Sequence, residues 1–163
     1  MTAITSSVRK GIIKTNQTVM TSAYLSTNQA SLNGSMWTKL LLNTILYDVG
    51  LNYDTANHKF VTPVTGFYHL QASVHFTSVI TAKRYIAALY QNGTAIKYEY
   101  GHSNGTNDIS VIVEADVFLK QNDYIELFAN PDVGSGTNTV AALSGSLYTT
   151  LTARLVTKEG IKQ

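Results

Sequence analysis

Two stretches of this chain alternate apolar and polar residues with a period of two. Tyr68, Leu70, Ala72, Val74 and Phe76 fall on one face, with His69, Gln71, Ser73, His75 and Thr77 on the other. Ile109, Val111, Val113, Ala115, Val117 and Leu119 repeat the pattern further on. Successive side chains of a strand point to opposite faces, so each stretch reads as a half-buried β-strand with one row on a core.

Turn signals divide the rest at similar intervals. Phe60-Val61, Thr62-Pro63 and Thr65-Gly66 read as a short strand, a turn and the start of a second strand, because Pro donates nothing to a ladder and Gly tolerates unusual dihedrals. Arg84 to Gln91 runs into Asn92-Gly93, a hairpin pair tolerant of positive φ, and Ala95 to Tyr100 returns. Ser103 to Asn107 reads as a loop, and Gln121-Asn122-Asp123 as a turn into Tyr124 to Ala129. Asn130-Pro131-Asp132 with Gly134-Ser135-Gly136 reads as the next loop. Val140 to Val156 reads as a long last strand with Leu143, Gly145, Leu147, Thr149, Leu151, Ala153 and Leu155 on one side. Trp37 to Tyr47 fits a helical stripe about as well as a strand. About nine or ten short strands at this spacing predict an all-β sandwich.

A chain of 163 residues is long enough for one domain with a proper core. Charged residues make up only 13%, well under the usual quarter, so Thr, Ser, Asn, Gln and Tyr must cover the surface, as in many β-structured proteins of virus particles and extracellular surfaces. A net charge of +2 is too weak to predict a nucleic-acid partner. With no cysteine there is neither a disulfide framework nor a thiolate metal site. Arg9 and Lys10 are not followed by the apolar run of a secretion signal, and no stretch has the length of an apolar membrane span.

The residues around Gly66 have a more specific spacing. Leu42 is followed after five residues by Asp48, after four by Tyr53, after six by Phe60 and after five by Gly66, then by Tyr68, Leu70 and Ala72. This resembles the globular head of complement component 1q, a branch of the jelly roll shared with the tumour-necrosis-factor superfamily. Its pattern runs aromatic, Asn or Asp, aromatic or Leu, Phe, then Gly-x-Tyr-x-Phe-x-Phe/Tyr. Asp48, Tyr53, Phe60, Gly66 and Tyr68 fit, with Pro63 in the intervening turn, while Leu42, Leu70 and Ala72 are substitutions. Leu143-Ser144-Gly145-Ser146-Leu147-Tyr148 is similar to the Phe-Ser-Gly-Phe-Leu of the family's last strand, which makes Gly145 and Leu147 motif positions. The resemblance favours a strand for Trp37 to Tyr47 and implies a trimeric jelly roll over residues 22–148. Residues 1–21 then become an N-terminal arm and 149–163 a C-terminal extension.

No catalytic constellation is visible. The Gly-x-Ser-x-Gly elbow of a serine nucleophile is absent. Glu114 and Asp116 share a polar strand face, where such pairs are usually solvated surface. His69 and His75 lie six residues apart on one strand, roughly 20 Å, too far for one metal. No two of the four histidines, His58, His69, His75 and His102, are separated by the single residue of the cupin metal arrangement, and Asp108, Asp123 and Asp132, in loops where calcium could bind, lack the carboxylate density of an EF-hand. No metal, cofactor or catalytic residue is therefore expected.

The ten tyrosines suit subunit interfaces and carbohydrate platforms, where a ring is covered and a hydroxyl stays wet. Tyr98, Tyr100, His102, Asn104 and Asp132 are the candidate surface-binding residues, and the basic residues Arg9, Lys10, Lys14 and Lys158 of the tails the candidate anchors. The combined expectation is a non-enzymatic homotrimer in a bacteriophage virion: a capsid decoration, head fibre or tail-fibre tip. It would be made in the host cytoplasm and would bind neighbouring capsid or tail proteins and a host-surface glycan. The alternative is a bacterial carbohydrate- or protein-binding module of the same fold.

Overall fold

The computed structural model describes residues 18–32, 34–134 and 141–158. Among them are twelve strands and no helix: β1 Met20–Tyr24, β2 Thr38–Lys39, β3 Thr44–Val49, β4 Tyr53–Asp54, β5 Lys59–Val61, β6 Gly66–Thr77, β7 Arg84–Gln91, β8 Thr94–His102, β9 Ile109–Leu119, β10 Tyr124–Asp132, β11 Ala141–Ala142 and β12 Thr150–Lys158. All the pairings are antiparallel. The first sheet runs β9-β6-β12-β1-β3, with β11 extending the β12 side of β6. The second runs β4-β5-β10-β7-β8, with β2 beside the far end of β10. From β6 the chain passes to the second sheet for β7 and β8, back for β9, across for β10 and back for β12, which makes a jelly-roll sandwich.

The alternation read from the sequence is the core. Tyr68, Leu70, Ala72, Val74 and Phe76 of β6 are fully buried, whereas His69 and His75 are half-buried and Gln71 is exposed on the outer side. Val111 and Val113 of β9, with Leu151 and Ala153 of β12, complete that layer. Tyr85, Ala87 and Leu89 of β7 and Ile125, Leu127 and Ala129 of β10 face them from the second sheet. The Phe76 and Tyr85 rings meet across the layers at 5.2 Å. Asn92 and Gly93 adopt φ of 51° and 81°, the pair of left-handed residues that a tight right-twisted hairpin needs.

The sequence expectations for three segments are corrected. Trp37 to Tyr47 is not one strand: β2 joins the second sheet and β3 the first. Leu40 and Leu42 drop into the core where the chain crosses. Asn130-Pro131-Asp132 is not loop but the end of β10, opposite Ile86, Tyr85 and Arg84. Pro131 is tolerated because its carbonyl, and so its missing N–H, points away from β7; the carbonyl accepts from Ser35 N at 3.0 Å. Leu143 to Tyr148 is not the last strand. Gly145, at φ 118°, closes a turn through Tyr148 N to its carbonyl at 3.1 Å, and Leu147 is 88% exposed.

The last strand is β12, hydrogen-bonded between β6 and β1. Residues 149–163 are therefore not an appendage as far as Lys158. Leu151-Thr152-Ala153-Arg154-Leu155 has the apolar, polar, small, bulky, apolar order of Phe-Ser-Gly-Phe-Leu, eight positions later than expected. At the other end β1 begins at Met20, inside the arm predicted over 1–21.

Candidate interaction surfaces

The sequence-motif residues build the fold rather than a site. Asp48 Oδ2 accepts from Tyr53 N at 2.9 Å, and the Tyr53 hydroxyl donates to the Leu42 carbonyl at 3.2 Å, pinning β3 to β4. Burial, with Asp54 and Glu126 nearby, pushes the Tyr53 phenol far above its ordinary value. Phe60 and Tyr68 are buried with rings 5.8 Å apart, and the Tyr68 hydroxyl donates to the Val64 carbonyl at 2.7 Å, just past the turn at Pro63. Gly66 begins the second strand, as its place after the Thr62-Pro63 turn predicts. It lies in β6, and a Cβ there would come within 2.4 Å of the Thr157 carbonyl oxygen of β12.

The outer face of the first sheet carries rows of matched polar pairs. His69 Nδ1 lies 2.9 Å from Asp116 Oδ1, Gln71 donates to Glu114, and His75 Nδ1 lies 2.7 Å from Ser110 Oγ. The carboxylates read as a conceivable catalytic pair are thus each engaged by a different partner on β6. Apolar groups border these rows. Phe67 and Phe118 are 51% and 38% exposed with rings 5.2 Å apart, and Met20, Val49, Ile112 and Val156 are also exposed. Arg154 lies within this face, opposite His69 and Met20, not in a free tail.

The outer face of the second sheet carries rings. Trp37 meets Tyr90 edge-on at 5.9 Å, and Tyr90 stacks on Phe128 at 4.1 Å. Beyond Ala88 and Ile86, the edge strand β8 contributes Tyr98 and Tyr100, which are 58% and 53% exposed. Lys39 and Glu126 form an ion pair of 2.5 Å at one end of this face.

At the opposite end the register aligns Asp132 of β10, Arg84 of β7 and His102 of β8 in one row, beside Tyr100. These residues, with Ala82, Lys83 and Gly134, line an open cleft of about 500 Å³. Arg84 Nε and Nη2 donate to Asp132 Oδ2 at 3.2 and 2.7 Å, and Ser35 Oγ donates to Asp132 Oδ1 at 3.1 Å. The Arg84 hydrogen bond, then that of Ser35, holds the Asp132 carboxyl below the usual carboxylate range. The guanidinium sits 5.6 Å from the Tyr100 ring centre, and the His102 ring meets Tyr100 edge-on at 5.6 Å.

Of the predicted surface residues, the structure gathers Tyr100, His102 and Asp132 in this cleft and places Tyr98 one row away on the same face. Asn104 lies apart, in the exposed loop after β8. Of the predicted anchors, Lys158 ends β12 opposite Gly66, while Arg9, Lys10 and Lys14 lie outside the described residues. Sequence reasoning missed Lys83, Arg84 and the Phe67–Phe118 pair. Only the cross-strand register, which one strand's alternation does not contain, would have found them. Among the described residues no three His, Asp or Glu side chains gather as metal ligands, and no helix is long and apolar enough to cross a membrane.

Comparison with known proteins adds a fold-level likeness. No family model and no curated protein sequence matches the chain. Among solved structures, the globular domain of a zebrafish complement 1qA protein superposes with a TM-score of 0.56 at 11% identity, over 87% of this chain and 99% of that one. Murine APRIL superposes with a TM-score of 0.62 at 12% identity in its pH 5.0 structure, covering 85% of this chain and 99% of that one. Another murine APRIL structure, at pH 8.0, gives 0.61 at 14% identity over the same shares. The jelly roll of this chain is thus the complement 1q-like and tumour-necrosis-factor-like fold that the Gly66 spacing had indicated.

Proposed function

We propose that this chain is a non-enzymatic, self-associating interaction module: a homotrimer that buries the outer face of its first sheet. The observation that carries this reading is the Phe67–Phe118 pair, left half in solvent at the end of a face whose polar groups are already paired with one another. Exposed rings beside rows whose polar groups are already hydrogen-bonded to one another suit contact with a neighbouring copy, since fewer polar groups would be left without partners. Trimer symmetry would present each loop and each second-sheet face in several copies, so weak contacts add by avidity.

Within that reading we assign the protein to a bacteriophage particle, as a capsid decoration, head fibre or tail-fibre tip in contact with neighbouring virion proteins and a host-surface glycan. Its support is compositional: a lightly charged, cysteine-free chain whose surface is mainly Thr, Ser, Asn, Gln and Tyr. Light scattering on the purified protein tests the self-association, with a trimer mass expected at micromolar concentration. Immunogold electron microscopy of intact particles tests the location. A monomer by the first method, in solution and in any assembly, would overturn the trimer; particles free of label would overturn the virion role alone.

A further inference from the structure

We propose that the cleft at the Arg84 end of the second sheet binds a carboxylated sugar, with the sugar ring on Tyr100 and its carboxylate on Arg84 and Lys83. The proposal deepens the glycan contact of the previous subsection, from which it takes only the premise that this face binds rather than catalyses.

The donor balance of the cleft selects the ligand's charge. Asp132 has both oxygens engaged, Oδ2 by Arg84 and Oδ1 by Ser35. Arg84 spends two of its five N–H groups on that one oxygen, and the other three have no partner among the described residues. Lys83 adds further donors and is close enough to help lower the Asp132 carboxyl. Among the described residues the cleft therefore offers more unused donors than unused acceptors. Counting Lys83 and Arg84 against Asp132, with His102 neutral, it carries a net charge of +1. A neutral sugar, rich in hydroxyl donors, would find most acceptor sites of the one carboxylate taken. A carboxylate supplies acceptors alone and matches the flat guanidinium fork.

The ring component selects a sugar over a bare anion. Tyr100 is 53% exposed on an edge strand, with the Arg84 guanidinium over one face of its ring at 5.6 Å and His102 edge-on, so the sugar ring would take the other face beside the guanidinium. The Asp132 pair fixes the guanidinium, so less rotamer freedom is lost on binding. About 500 Å³ is within the range of small-ligand sites and accommodates a short oligosaccharide. A single excess cation without a basic stripe is far from the footprint of a nucleic-acid site.

The test is isothermal titration of the full chain with trigalacturonic acid, maltotriose and inorganic phosphate, beside Arg84→Ala, Tyr100→Ala and Lys83→Gln. The acidic trisaccharide is expected to bind with saturable heat, and maltotriose at least about tenfold more weakly. Arg84→Ala and Tyr100→Ala should each weaken the acidic ligand by roughly tenfold or more, and Lys83→Gln by less. Tyr100→Ala removes a surface ring and leaves the core untouched, so it stays informative if Arg84→Ala loosens the end of β7. Circular dichroism confirms the fold of each variant. Absence of binding to the folded wild type would overturn the proposal, as would equal binding of maltotriose. Binding that phosphate reproduces and Tyr100→Ala leaves unchanged would reduce the site to a simple anion contact and overturn the sugar assignment. A trisaccharide reports one cleft at a time, so its binding to a monomeric protein would remove the trimer and keep this site.

Discussion

The two outer faces of the sandwich have solved the same problem differently. Both sheets share one core and both leave aromatic groups in solvent. The first sheet pairs its polar groups row by row, His69 with Asp116 and Gln71 with Glu114, and leaves the Phe67–Phe118 pair at one end. The second sets Trp37, Tyr90, Phe128, Tyr98 and Tyr100 across its face and gathers Arg84, Lys83 and Asp132 in a cleft at one end. A face whose polar groups are hydrogen-bonded within itself leaves fewer of them unpartnered on contact with a neighbouring copy. A face with spare donors and an open ring has something left for a ligand. Exposed apolar area alone does not separate the two; the state of the neighbouring polar groups does.

The comparison presumes that one core carries both faces, and the largest effects should remove both together. Deleting residues 149–163 takes β12 from between β6 and β1, so the truncated chain is expected to show no cooperative melting transition. A folded truncation would mean that the tail is detachable after all. Phe76→Ala, at a fully buried ring, should cost roughly 3–5 kcal/mol in denaturant titration. Gly66→Val should cost about 3 kcal/mol or more, because the new Cβ meets the backbone of β12 rather than a side chain that can move.

The pH response sharpens the same point on a smaller scale. Burial raises the Tyr68 phenol to about 12, against an ordinary value of 10.0. The folded state then keeps a proton that the unfolded chain releases, so this contribution is complete below pH 10 and is lost as pH climbs toward 12. Denaturation midpoints should fall across that window, and less steeply in Tyr68→Phe. At the acid end, burial alone would raise the Asp123 carboxyl, but hydrogen bonds from Asn92, Lys120 N and Gln91 outweigh it and hold the group low.

The smallest effects on stability should separate the faces. Phe67→Glu changes a residue half in solvent, so the fold of the single chain should shift by no more than about 0.5 kcal/mol while the assembled mass, and the stabilisation that assembly adds, is lost. Tyr98→Ala, equally exposed on the second sheet, should leave both stability and mass unchanged. Light scattering of the two variants side by side checks the pair.

The core was legible because period two over β6 and β9 admits one buried face, and both strands kept it. The Asn92-Gly93 hairpin was legible because few residue pairs take two positive φ values. Gly145 to Leu147 misled because a short Ser-Gly motif matches both a strand and a turn. Only the pairing of Leu151 with Ala72 and of Ala153 with Leu70 shows which segment fills the central position. The cleft was half legible: Tyr100, His102 and Asp132 stood out by residue type, but Arg84 joined them only through the register of three strands distant in sequence.

Hydroxyl-radical footprinting of the assembled protein tests the division of labour between the faces most directly. Met20, Phe67 and Phe118 should be protected in the assembly, and Met20 and Phe118 oxidised once Phe67→Glu breaks it, while Trp37, Tyr98 and Tyr100 stay reactive throughout. Protection of Tyr98 and Tyr100 with Phe67 and Phe118 left reactive would contradict that division of labour and move self-association to the second sheet.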